Sequence, residues 1–362
     1  MTIWYTEETW GSSGARHAGN KAREDVSAIL SSLAERPLEV VKTFDGKSAI
    51  EKSISHYRRF KQWKNSLSVV SKGDIVVFQL PLISHTVFSP LILNYCQANS
   101  IKTVALIHDV EALRMKSANY LPMQLKCEEI SFLKQCDCVI CHNESMKQEL
   151  VKKFDLNKDK CIVLGLFDYL IPDDLAPNND QFGLGKPIVI AGNLSAQKAG
   201  YLYTGPLPFE ANLYGVNFDE KNTDPNMHYH GSFLPDELPR AIKGSFGLVW
   251  DGDSRDGCSG DYGDYLRINN PHKASLYLAC GLPIIVWSES ALATFVTGLG
   301  VGFVVDSLDD VTHRIDMLEY AATSKMYSNA RALSKSLRSG SFLKAAIDEA
   351  EFQITRKANC IG

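Results

Sequence analysis

The densest chemical signal in the chain is the run Asn270-Pro271-His272-Lys273-Ala274-Ser275-Leu276, followed by Cys280-Gly281-Leu282-Pro283. Asn270 suits an N-cap, and Pro271 suits the first helical position, where a missing N–H costs nothing. Gly281 ends the helix just before an apolar strand. His272 and Lys273 then fall in the first turn, where the helix dipole disfavours cations. An anion resident at that turn resolves the conflict. Free backbone N–H groups, the dipole and Lys273 together suit a diphosphate. The plain alternative is a surface helix with an accidental first-turn lysine.

Other junctions add to this. In Ala191-Gly192-Asn193, running on to Lys198, the glycine admits close backbone approach and the lysine can meet a phosphate. Tyr214 ends the next apolar run and could stack on a uracil ring, or simply be core. Asp251-Gly252-Asp253 matches a three-residue D-x-D manganese pattern, but turn chemistry or sugar-hydroxyl contact is the favoured reading and no metal is expected. The loop after the first strand carries Arg16 and Lys21, which could reach phosphates; it is neither a G-x-G-x-x-G fingerprint nor a P-loop. Ile107-His108-Asp109 closes another strand. Asp109 is the first candidate, and His108 the second, for a base that removes a hydroxyl proton. A buried His-Asp pair that merely holds its loop is the alternative.

These residues need elements to position them. In the first half, apolar runs at 2–5, 38–42, 74–79, 102–107, 138–142 and 161–164 alternate with helical patterns at 21–34, 50–70, 87–98, 123–136 and 145–153. Residues 172–187 are rich in Pro, Gly, Asn and Asp and read as a break. Strands resume at 188–191, 211–214, 246–250, 283–287 and 302–305, with helices at 236–242, 272–279, 308–322 and 329–338, and an amphipathic segment at 341–355. Short continuous apolar strands alternating with helices predict α/β architecture, with two doubly wound Rossmann-like domains facing a cleft. The expected boundaries are 1–170, a linker at 171–187, 188–338, and a C-terminal helix and tail at 339–362 crossing back.

Composition excludes several classes. A chain of 362 residues, 45% hydrophobic, can bury two cores, and a net charge of -4 argues against a nucleic-acid partner. No apolar run approaches the ~20 residues of a membrane span, and the first residues lack signal-peptide character, so the cytoplasm is expected. The segment His56-Tyr57-Arg58-Arg59-Phe60-Lys61-Gln62-Trp63-Lys64 could rest on an anionic membrane at its inner face, although a solvated helix face is simpler. Cys138-Val139-Ile140-Cys141-His142 matches a haem-attachment spacing but reads as a buried strand. The nine cysteines read as free thiols.

The blocks Gly19-Asn20-Lys21-Ala22-Arg23, Leu106-Ile107-His108-Asp109, Phe167-Asp168-Tyr169-Leu170, Ala191-Gly192-Asn193-Leu194-Ser195, Trp250-Asp251-Gly252-Asp253 and Asn269-Asn270-Pro271-His272-Lys273 occur in order. Together they resemble the bacterial β-1,6-galactofuranosyltransferases of O-antigen assembly. They are also similar to the glucosyltransferases that extend GlcNAc on serine-rich adhesins. The resemblance implies a GT-B fold, an acceptor-side N-terminal domain, a UDP-sugar donor, no cofactor or essential metal, and a homo-oligomer. The acceptor would be a saccharide, a lipid-linked glycan or a glycoprotein. The implied UDP contacts are Asn193, Lys198, Tyr214 and the segment from Pro271 to Leu276, with Asn20 or Lys21 reaching in. Galactofuranosyl transfer with inversion is the leading expectation and glucosyl transfer the close alternative. A non-catalytic nucleotide-sugar-binding module is the rival of another class.

Overall fold

The computed structural model describes residues 1–10, 18–33, 35–42, 48–114 and 123–361; Arg16 and its loop lie outside them. The chain divides into two compact units. Unit 1 comprises Met1–Ala15, Arg23–Leu164 and Leu343–Gly362, and unit 2 comprises Arg16–Ala22 and Gly165–Phe342. Unit 2 therefore takes in the turn-rich stretch 172–187, which holds two short 3-10 turns.

Unit 1 is built on β1 (Ile3–Trp10), β2 (Arg36–Lys42), β3 (Ile75–Leu80), β4 (Lys102–Ile107), β5 (Cys138–Cys141) and β6 (Cys161–Val163), in a parallel sheet ordered β2-β1-β3-β4-β5-β6. Its helices are α1 (Ala18–Ser32), whose first residues cluster with unit 2, α2 (Ala49–Leu67), α3 (Ser89–Ala98), α4 (Glu111–Arg114), α5 (Met123–Gln135) and α6 (Glu144–Phe154). β3 is buried throughout, as a strand covered on both faces must be. β1 runs past the expected 2–5. Only Ile3, Trp4 and Tyr5 pair with β3, whereas pairing with β2 continues to Trp10, so the polar Glu7-Glu8-Thr9 stretch stays extended. Arg59 of α2, placed by sequence among surface cations, is buried and donates to the His85 carbonyl at 2.7 Å. Cys141 Sγ of β5 lies 3.4 Å from the Ile162 carbonyl, and Nε2 of His142, the residue after the strand, 3.1 Å from the Ile107 carbonyl, so this run is buried core.

Unit 2 repeats the plan with β7 (Ile188–Asn193), β8 (Ala211–Val216), β9 (Met227–Tyr229), β10 (Gly247–Val249), β11 (Ile284–Trp287) and β12 (Gly302–Val305), ordered β12-β11-β10-β7-β8-β9. Around this sheet lie α7 (Leu238–Ala241), α8 (Gly260–Tyr265), α9 (His272–Ala279), α10 (Ala293–Leu299), α11 (Asp310–Asp316) and α12 (Tyr320–Arg338). The helices expected at 308–322 and 329–338 are instead a short α11 and a long α12. The chain breaks at Glu319, whose ψ of 144° is extended. Edge strand β9 has no buried residue and so no apolar run to announce it. α13 (Ser341–Ile361) returns to unit 1 and buries Leu343, Ala346, Ile347, Ala350 and Ile354 along one face. Among the described residues, no helix is long and apolar enough to cross a membrane.

Candidate functional site

In unit 2 the chain passes from β7 outward to β8 and β9, then restarts at β10 on the other side of β7. Such a reversal opens a crevice at the carboxyl ends of the two strands, where doubly wound sheets bind ligands. The loops after β7 and β10 flank it and are tied together, since Gly252 N donates to the Lys198 carbonyl at 2.8 Å. α9 is set against these same strands by Tyr277. Its hydroxyl accepts from Ala191 N of β7 at 2.7 Å, and its ring lies over Gly247 of β10, where an added Cβ would stand 2.3 Å from it. Ala274, Ser275 and Leu276 are buried, so only their backbone can serve a ligand.

The helix start differs from the expectation by one residue. Pro271, with ψ of 140°, is the N-cap, and no side chain caps α9. Asn270 is not the cap, because its amide donates instead to the Gly165 carbonyl. The first-turn amides of α9 thus meet no capping side chain, which is the state an anion site requires.

Neither first-turn residue is the unpaired cation that the spacing suggested. Lys273 Nζ donates to Asp251 Oδ1 at 2.7 Å and to the Trp250 carbonyl at 2.9 Å, with the two side chains only 14% and 6% exposed. Asp251 is therefore occupied by an ion pair, and Asp253 accepts from the Ser259 hydroxyl. Among the described residues, no group of three or more His, Cys, Asp or Glu is placed to hold a metal ion. His272 is held neutral. Burial, then the nearby charge of Lys21, depress it to about 4, partly opposed by a bond to the Asp168 backbone. Its ring stacks on Tyr169 at 5.0 Å and meets Phe167 edge-on at 6.3 Å, while its Nε2 is buried without a partner.

Lys21 joins this cluster. Its ammonium lies 5.2 Å from the centre of the Tyr169 ring and 2.6 Å from Asp236 Oδ1. Asn20 is partly exposed beside it. Asn193 is exposed and its side-chain oxygen accepts from Ser195 N and the Asn217 amide, while Lys198 sits 5.5 Å over the Tyr262 ring. Tyr214 does not belong to the site. It is 2% exposed, stacks on His230 at 4.9 Å, and its hydroxyl accepts from Lys243 N, which leaves no face for a base.

Asp109 and His108 lie in unit 1. Asp109 Oδ2 accepts from Arg114 at 2.9 Å, and His108 Nε2 bonds Gln79 Oε1 at 2.8 Å.

Comparison with known proteins adds to this geometry. The family model for the glucosyltransferase 3-like N-terminal domain matches residues 3–166, and that for the C-terminal domain matches residues 188–350. The chain belongs to the glucosyltransferase 3-like family. Among relatives of this glucosyltransferase 3-like protein, the β-1,6-galactofuranosyltransferase WbbI of Escherichia coli (strain K12) is 31% identical over 337 residues, 92% of this chain and 94% of that one. Glucosyltransferase 3 of Streptococcus gordonii is 28% identical over 289 residues, 80% and 82% of the two chains. Sucrose-phosphate synthase of Thermosynechococcus elongatus shares the fold at TM-score 0.66 and 12% identity, covering 100% of this chain and 99% of that one. The fold is GT-B, as the resemblance implied, and the protein is a glycosyltransferase.

Several residues of this glucosyltransferase 3-like site carry roles that sequence reasoning did not assign. Tyr277 positions α9, Tyr169 and Phe167 hold His272, and Asp236 pairs with Lys21. Tyr277 alone had a signal, being a bulky helical residue facing a strand glycine. The rest depend on contacts between segments far apart in the chain.

Proposed function

We propose that the protein transfers a hexose from a UDP-sugar to a hydroxyl of a saccharide acceptor during surface-glycan synthesis, with inversion and without a metal. Galactofuranose is the first choice of sugar. The observation that carries this reading is the uncapped start of α9 beside the β7/β10 crevice. Amides and dipole aimed at the leaving diphosphate stabilise the charge that grows as the glycosidic bond breaks. Lys273, paired with Asp251 and bonded to the Trp250 carbonyl, anchors that helix start to the loop after β10. The similarity to WbbI, at 31% identity across nearly the whole of both chains, supports the galactofuranosyl choice. The glucosyltransferase 3-like match supports UDP-glucose as the second reading.

The test is a donor screen with purified protein, offering UDP-galactofuranose and UDP-glucose with a panel of saccharide acceptors. Consumption of UDP-galactofuranose with formation of a glycoside of inverted configuration is the expected result. Preference for UDP-glucose moves the assignment to the second reading, and turnover of neither sinks both. A homo-oligomer and a peripheral contact with the membrane face belong to the same proposal. Light scattering and co-sedimentation with anionic liposomes test them.

A further inference from the structure

Unit 1 has a reversal of its own. The chain passes from β1 outward to β2, then restarts at β3 on the other side of β1, so the crevice at the carboxyl edge opens between β1 and β3. The last pair between these strands is Tyr5 with Val77, after which they part. Glu8 stands on β1 beyond that point, and Ser84 follows β3 across the gap. Glu8 Oε2 accepts from Ser84 N at 2.5 Å. Glu8 Oε1 and the Ser84 hydroxyl are both buried and neither makes a well-formed hydrogen bond.

A buried carboxylate oxygen with no donor is costly. Arg23 of α1 does not supply one: it donates to the Gln79 and Pro81 carbonyls at 3.2 and 2.5 Å, and no hydrogen bond from it reaches Glu8 Oε1. A hydroxyl presented at this edge would complete the site. Deepening the function proposed above and resting on it, we infer that Glu8 is the general base of the transfer. Glu8 Oε1 takes the O–H proton of the acceptor as its oxygen bonds the anomeric carbon. The bond from that carbon to the diphosphate breaks, its electron pair leaves with UDP, and Glu8 later returns the proton to solvent.

The alternatives are less suited. Asp109 Oδ2 is already taken up by Arg114, in an ion pair at 2.9 Å. Gln79 Nε2 donates to the Thr6 carbonyl, so its Oε1 faces His108 Nε2, which acts as the donor of that bond and offers no lone pair to a hydroxyl. Glu8 is tuned differently. Burial raises it to about 7, against the opposing pull of the Ser84 amide, of Arg23, the charged group from α1 that acts on it, and of the Ile83 amide and the Ser84 hydroxyl. Arg23 is itself acted on by Asp109. A base poised near neutrality suits proton abstraction at cellular pH.

Glu8→Gln tests this, because the amide oxygen still accepts from Ser84 N while basicity is lost. Expected are a fall in kcat of about 100-fold or more, unchanged UDP affinity by calorimetry, and loss of the limb in which parent kcat rises as pH climbs through about 7. Retention of kcat within a few-fold overturns the role of Glu8 while leaving the transfer reading intact. So does a parent profile with no acidic limb in that range, which decides the matter even if Glu8→Gln fails to fold. Absence of turnover in the parent overturns both.

Discussion

Lys273 Nζ lies 2.7 Å from Asp251 Oδ1, so the cation in the first turn of α9 is matched within its own unit by a carboxylate from the loop after β10. The pair offsets the dipole penalty on a first-turn lysine and ties the helix to the crevice. Breaking one side of a buried pair strands the other charge. Lys273→Met should therefore cost about 3–5 kcal/mol in urea unfolding. Adding Asp251→Asn should recover a large part of that loss. Equal losses in the single and double variants would show that the two charges do not depend on each other.

His272 tests the donor end. Its Nε2 is buried and unpartnered while its ring packs on Tyr169. Phenylalanine keeps the stack and deletes both nitrogens. Melting temperature should change by only a few degrees, while UDP affinity should fall about tenfold, near the 1.4 kcal/mol scale of one modest hydrogen bond. Undiminished UDP affinity in calorimetry would remove His272 from the donor site.

Gly247 explains how closely α9 can approach its sheet. A Cβ there would stand 2.3 Å from the Tyr277 ring, which is anchored by its bond with Ala191 N. Gly247→Ala should destabilise the protein by about 1–3 kcal/mol and weaken UDP binding in parallel, because the helix start moves with the ring. A variant as stable as the parent would mean that Tyr277 yields freely.

Glu129 gives a pH signature. It accepts from Glu111 N at 3.1 Å and Ala112 N at 2.9 Å, serving the first amides of α4. Burial nevertheless raises its carboxyl to about 7 from 4.5. The folded state thus holds a proton that the unfolded chain releases between those values. The stability this contributes is present below about 4.5 and is lost as pH rises to about 7. Glu129→Gln cannot titrate. Its stability relative to the parent should therefore climb between pH 5 and pH 7.5, by on the order of 2 kcal/mol, in paired urea titrations. A constant difference would refute the shift.

Periodicity located the body of α9 at 272–279, although the cap falls on Pro271 and not Asn270, because apolar spacing and flanking Pro and Gly all act locally. Continuous apolar runs likewise located most strands, since a sheet covered on both faces demands them. Side-chain direction was another matter. Leu213-Tyr214-Gly215 reads the same whether the ring faces the crevice or the core. His230 and Lys243, which claim the ring and its hydroxyl, come from other segments. Asn270 had good capping chemistry, yet the Gly165 carbonyl claimed its amide. Glu8 was hidden because Glu7-Glu8-Thr9 breaks the apolar run, and only pairing with β2 keeps that stretch extended.

The return of α13 to unit 1 has a consequence for how the chain is made. The strip covered by Leu343, Ala346, Ile347, Ala350 and Ile354 belongs to a unit whose sheet is complete by β6, yet all of Gly165–Phe342 intervenes before the covering helix emerges. The entropic toll of closing so long a loop grows only logarithmically, so docking is thermodynamically easy but late. Until then a nascent chain on the ribosome carries bare apolar surface, a window in which chaperones would be expected to attend it.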